Sequence, residues 1–119
     1  MRVAIVGSRN CGNRRDRLDE IHLVLESHNY MCIVVSGGAR GIDTLAREAA
    51  ESTGCYYEEY LPDWKTYGKK AGFLRNQTIV DNCDELHAWW NGKSRGTAHS
   101  IELARKAGKS VTVHRWSEP

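Results

Sequence analysis

Proline is almost absent from this sequence: Pro62 and Pro119 are the only two among 119 residues. That leaves little room for a Pro-rich linker, and residues 1–119 are read as one domain. No apolar run approaches the roughly 20 residues that a membrane-spanning helix needs. No secretory leader is read at the start, so a cytoplasmic location and no membrane partner are expected. The four cysteines, Cys11, Cys32, Cys55 and Cys83, are widely spaced and form no C-x-x-C pair, which argues against zinc. Cys32 and Cys83 lie in or beside apolar runs and are read as buried thiols. No metal and no resident cofactor are expected. A strong charge of one sign is also lacking. The 17 basic and 15 acidic residues leave +2, short of the bias of dedicated duplex-DNA binders, so any anion site must come from local arrangement. Neither G-x-G-x-x-G after the first apolar run nor G-x-x-x-x-G-K-[ST] occurs, which weighs against dinucleotide dehydrogenases and P-loop NTPases.

What is present is a regular alternation. Short β-branched or aromatic runs at Arg2–Val6, Cys32–Val35, Cys55–Tyr60, Glu85–Trp90 and Ser110–His114 predict five strands. Between them lie four segments with helical spacing. The first carries Leu18, Ile21, Val24 and Leu25; the second runs from Ile42 to its stop at Gly54. The third is expected from about Ala71 with Phe73, Leu74, Ile79 and Val80 as its apolar residues. The fourth is expected over Thr97–Ala107, stopped by Gly108. Residues 7–16 and Pro62–Gly72 are read as loops. Strict alternation predicts an α/β Rossmann-like domain with a five-stranded parallel sheet, expected order 3-2-1-4-5, and helices on both faces.

In such a sheet, ligands bind beyond the carboxyl ends of the strands. Three polar segments follow strand ends: Gly7-Ser8-Arg9, Ser36 to Asp43, and Gly92 to Thr97. Topology should bring them to one edge. Glycines let backbone N–H groups approach phosphate oxygens. The helices expected after Gly41 and Gly96 aim positive dipole ends at the same place. Ser8, Ser36 and Thr97 add hydroxyls, and Arg9 and Arg40 add bidentate cations.

At these residues the chain resembles a known group. Gly7-Ser8-Arg9 followed by Ser36-Gly37-Gly38-Ala39-Arg40-Gly41-Ile42-Asp43 is similar to the SLOG superfamily of Rossmann-like proteins. Pro62-Asp63-Trp64, Gly68 to Gly72, Arg75-Asn76 and Gly96-Thr97-Ala98-His99-Ser100-Ile101 resemble its YspA-related branch. The resemblance runs in order along nearly the whole chain. It implies a nucleotide or nucleotide-derived ligand, in a sensing or processing role associated with phage and bacterial conflict, and a homodimer. The related DprA family carries a similar S-G-x-A-R-G-I-D segment and binds single-stranded DNA there. The LOG-type enzymes cleave nucleotide N-glycosidic bonds with a P-G-G-x-G-T-x-x-E motif. Gly96-Thr97 matches its G-T, but Ser100 stands where the catalytic glutamate would be.

The candidate ligand residues are therefore Gly7, Ser8, Arg9, Ser36, Gly37, Gly38, Arg40, Gly41, Asp43, Trp64, Arg75, Asn76, Gly96 and Thr97. Trp64, in a loop with Lys65, Lys69 and Lys70, is read either as a base platform or as a packing plug. Asp43 is read as a helix cap or as a partner of Arg40 or of a ribose hydroxyl. His99 is the candidate general acid or base. Arg14, Arg15 and Arg17 are read as a solvated face. Three readings stay open: a nucleotide-binding module, a nucleotide hydrolase, and a single-strand DNA binder.

Overall fold

The computed structural model describes residues 1–116. Five strands, β1 (Arg2–Gly7), β2 (Ile33–Ser36), β3 (Tyr56–Glu59), β4 (Glu85–Trp90) and β5 (Ser110–Arg115), form one sheet in the order β3-β2-β1-β4-β5. Every pairing is parallel, with Ala4 beside Val35 on one flank of β1 and Gly7 beside Trp89 on the other. The expected fold and strand order are both found. The order reverses between β1 and β4, so the carboxyl ends of these strands bound the crevice where ligands collect in such sheets.

Strands buried on both faces need apolar residues throughout, and Val3, Ala4, Ile5 and Val6 of β1 are all buried. Helices α1 (Arg14–Ser27) and α2 (Ile42–Thr53) cover one face. There, Ile21, Leu25, Leu45 and Ala49 pack on Val3, Ile5 and Val34. On the other face, Ile79 and Val80 of α4 (Ala71–Asp81) and Ile101 and Ala104 of α5 (Arg95–Lys106) pack on Ala4, Val35 and Leu86. Cys32 and Cys83 are buried free thiols, as expected. Among the described residues no helix is long and apolar enough to cross a membrane.

Several local readings need correction. Helix α1 begins at Arg14, inside the expected loop, because the Asn13 side chain accepts from the Asp16 N–H at 3.1 Å and caps it. Arg17 is not solvated. It pairs with Glu20 at 2.7 Å and lies over the Trp116 ring. The expected loop at 62–72 is ordered as a short helix, α3 (Trp64–Tyr67), capped by Asp63, and a 3₁₀ turn at Gly68–Lys70. Phe73 and Leu74 are 55% and 44% exposed rather than facing the sheet. Helix α4 turns Ala71, Asn76, Ile79 and Val80 inward instead.

The histidines form a pattern that the sequence did not disclose. His28 contacts Glu85, whose Oε1 lies 3.6 Å from His87 Nε2. His87 Nδ1 lies 3.0 Å from His114 Nε2, and the His114 ring stacks on Trp89 with centroids 4.1 Å apart. Burial and the neighbouring His87 push the His114 pKa down to about 4.

Candidate phosphate-binding cleft

A cleft of about 570 Å³ opens at the carboxyl edge of β1 and β4, within the size range of small-molecule sites. Of the residues expected to bind, Gly7, Ser8, Arg9, Asp43, Trp64, Arg75, Asn76, Gly96 and Thr97 line it. The segments after β1 and β4 are joined. Ser8 N–H donates to the Trp89 carbonyl at 3.2 Å, and Ser8 Oγ accepts from the Asn91 N–H at 3.4 Å. Asn91 Oδ1 then accepts from the Lys93 and Ser94 N–H groups at 2.9 and 3.0 Å, an Asx turn that feeds α5. Ser94 caps α5, accepting from Thr97 N–H at 3.3 Å. The helix thus starts two residues before the expected Thr97. Gly96 therefore lies within its first turn, where the Arg95 and Gly96 N–H groups have no intrahelical acceptor.

The segment after β2 contributes differently. Ala39 and Asp43 line the cleft, whereas Ser36, Gly37, Gly38, Arg40 and Gly41 do not. Ser36 is buried and its Oγ donates to the Ile5 carbonyl at 2.6 Å, tying β2 to β1. Gly38 and Arg40 are exposed. Gly41 lies directly under the Ser8 and Arg9 carbonyls, and Ile42 N–H donates to the Ser8 carbonyl at 3.3 Å.

Arg75 and Asn76 turn out to be a strut. From the wall formed by α4, Arg75 Nη1 donates to the Gly37 carbonyl at 2.7 Å and Nε to Asn76 Oδ1 at 3.1 Å. Asn76 Nδ2 donates to the Gly96 carbonyl at 3.3 Å and to His99 Nδ1 at 3.2 Å. One side-chain pair thereby fixes the loop after β2 against the start of α5. His99 is placed behind this strut, edge-on to Phe73 with centroids 4.6 Å apart, and does not line the cleft.

Asp43 does not cap α2, whose N-cap is Gly41. Its Oδ2 accepts from the Ala39 N–H at 3.2 Å, while Oδ1 is buried without a partner. The residue is 5% exposed. Burial raises its pKa to about 6, opposed by the Ala39 N–H and by the nearby Arg75 charge. Burial in turn lowers the Arg75 pKa, with Asp43 opposing and Arg9 adding to the fall.

Asp43 and His114 consequently act in opposite senses on stability. The Asp43 contribution is complete below its ordinary value of 3.8 and is lost as pH rises through about 6. The His114 contribution is present above its ordinary 6.5 and is lost as pH falls through about 4. Asp43→Asn is expected to gain up to about 3 kcal/mol on the wild type between about pH 4 and pH 8. His114→Gln is expected to lose its deficit relative to wild type as pH falls over the same range. Thermal denaturation of the three proteins against pH checks both slopes, and parallel curves would contradict them.

Further residues of the expected Gly92–Thr97 segment and of the loop around Trp64 complete the lining, together with Phe73, which was expected among the apolar residues of its helix. Lys69, Gly72, Phe73, Lys93, Ser94 and Arg95 all face the cleft. The Trp64 ring lies near Gly72, where an added Cβ would be 3.6 Å from its Cη2. Trp64 is 54% exposed, so it stands at the rim and does not plug the core. Ser94, a preferred N-cap residue just ahead of the helical spacing, was the available signal for the true helix start.

The model of the YspA, cpYpsA-related SLOG family matches residues 1–67. The Gene 61 protein of Mycobacterium phage D29 is 39% identical over 116 residues, covering 92% of this chain and 93% of that protein. DNA processing protein A (DprA) of Streptococcus pneumoniae superposes with a TM-score of 0.79 at 23% identity, over 94% of this chain and 49% of that one. DNA processing protein A of Helicobacter pylori, solved in a study of its single-stranded DNA binding mode, gives a TM-score of 0.73 at 21% identity, over 95% of this chain and 64% of that one. The chain thus spans about half to two thirds of these two solved structures, and the likeness to them is one of fold. The phage relative and the matched first half of the chain carry the assignment: this protein belongs to the YspA, cpYpsA-related SLOG family.

Proposed function

We propose that the protein binds a nucleotide or nucleotide-derived ligand, with phosphate held between the segments after β1 and β4 and the base against Trp64. One observation carries this reading. Five cationic side chains line the cleft against a single carboxyl, Asp43, in a chain whose overall charge is only +2. Backbone amides at the start of α5 and an exposed indole at the rim supply the other two elements of nucleotide recognition. We assign binding rather than bond cleavage because Asp43 is committed to the Ala39 N–H and His99 stands behind Asn76. The phage source of the 39% identical relative supports a role in phage–host conflict.

Single-stranded DNA is the second reading. It is favoured by the fold shared with DNA processing protein A and by exposed Lys65, Lys69 and Lys70 flanking Trp64. Calorimetric titration with AMP, with ADP and with a short oligo-dT, at two salt concentrations, separates the two. Saturable AMP binding, weakened roughly tenfold in Trp64→Ala, supports the nucleotide reading. Binding that needs several linked nucleotides and falls steeply with salt supports the DNA reading. Failure of AMP, ADP and the oligonucleotide alike at millimolar concentration overturns both.

A further inference from the structure

Some cations of the chain are matched by a neighbouring acid. Arg2, Arg14, Arg17, Arg47 and Lys106 each lie against a carboxylate. Among the described residues Arg9, Lys69, Arg75, Lys93 and Arg95 form no ion pair with any acid, yet they share one cleft. Arg9 is near enough to Arg75 to lower its pKa. Like charges held together with a single counter-charge, Asp43, among them cost free energy that an anionic ligand relieves.

With Asp43 ionised, five cations and one carboxylate leave a formal +4 at the cleft. One phosphate monoester carries at most −2, which would leave half of that charge unmatched. The donors also lie on two adjoining segments. Arg9 follows β1, and Lys93 and Arg95 precede and open α5. The Ser8–Asn91 bond fuses the two segments into one surface. Adjacent anionic groups would therefore meet a continuous run of donors.

Resting on the nucleotide reading above, we infer that the cleft takes two directly linked phosphates: the ligand class is a nucleoside diphosphate, whose terminal phosphate brings the charge to about −3, rather than a monophosphate or a diphosphate-bridged nucleotide, each of which carries at most about −2. The first phosphate sits over Ser8 and Arg9. The second sits at the start of α5 under Lys93 and Arg95, with Arg75 facing both from the wall.

Calorimetric titrations with AMP, ADP, ADP-ribose and the dinucleotide pdApdA at constant ionic strength test this. ADP is expected to bind at least tenfold more tightly than AMP, with a steeper salt dependence. The Lys93→Gln/Arg95→Gln double variant is expected to weaken ADP more than AMP, bringing the two to within about threefold of each other. ADP binding more tightly than both AMP and ADP-ribose supports the inference, and ADP-ribose binding as tightly as ADP overturns the assignment of a terminal diphosphate. AMP binding as tightly as ADP overturns the second phosphate site while leaving the nucleotide reading intact. The dinucleotide outcompeting ADP overturns the direct linkage, since its phosphates are separated by a sugar. Absence of binding by all four, with the protein folded by circular dichroism, overturns the nucleotide reading itself.

Discussion

Gly41→Ala is expected to destabilise the protein by about 3 kcal/mol, a fall in Tm on the order of 10 °C. Gly41 has φ +77° and ψ −124° at the N-cap of α2, a region that residues with a Cβ rarely enter. An added Cβ would also stand 2.6 Å from the Arg9 carbonyl carbon and press on the Ser8 and Arg9 carbonyl oxygens. These are backbone atoms, so no rotamer change relieves the clash. The Ile42 N–H to Ser8 bond would be pushed apart, and with it the junction between β1 and α2 beneath the cleft. Gly54→Ala is the control. Gly54 has the same φ of 77° at the other end of α2, but nothing lies within 4 Å of its added Cβ. It should cost only about 1 kcal/mol, the conformational share. Parallel thermal melts measure both, and equal losses would show that the contact with the Ser8–Arg9 backbone imposes no constraint.

Arg75→Ala should cut nucleotide affinity by roughly 100-fold, a loss of about 2.7 kcal/mol. The side chain is both a cation facing the ligand and the brace that holds the Gly37 carbonyl. The space it fills is exact, for an added Cβ at Gly37 would be 2.5 Å from Arg75 Nη1. Its loss also leaves ionised Asp43 without its nearest positive charge, so the variant should lose most stability at alkaline pH. Adding Asp43→Asn should restore stability near pH 8 but not affinity. Arg75→Lys should not restore affinity either, because one ammonium cannot reproduce the planar fork to Gly37 and Asn76. Calorimetric titration with thermal melts of the three variants beside the wild type checks these outcomes. Full affinity in Arg75→Ala would remove the residue from the site.

Much of the frame was legible. The run Val3–Val6 read as a buried strand because a central parallel strand is apolar on both faces. The Ile42 to Gly54 helix read correctly because its apolar face, glycine stop and polar exterior agree. The 62–72 segment did not, because α3 and its 3₁₀ turn are too short for periodicity and are held by the Asp63 cap and by packing near Gly72. Phe73 and Leu74 look like core residues by composition. Only the rotation of α4, set by burial of Ala71, Ile79 and Val80, turns them outward. The His28–Glu85–His87–His114 chain spans three elements and has no local signature.

The amino-acid order alone determined the parallel α/β fold and the placement of glycine-rich segments at strand ends, because hydrophobic period, glycine stops and alternation are properties of neighbouring residues. Only the tertiary structure decided that Arg75 reaches Gly37 across 38 positions of sequence. Only it showed that Asp43 lies buried beneath the cleft and that five cations gather where one acid faces them. Those relations depend on which strands lie side by side and how each helix is rotated on the sheet, and side-chain packing over the whole chain sets both.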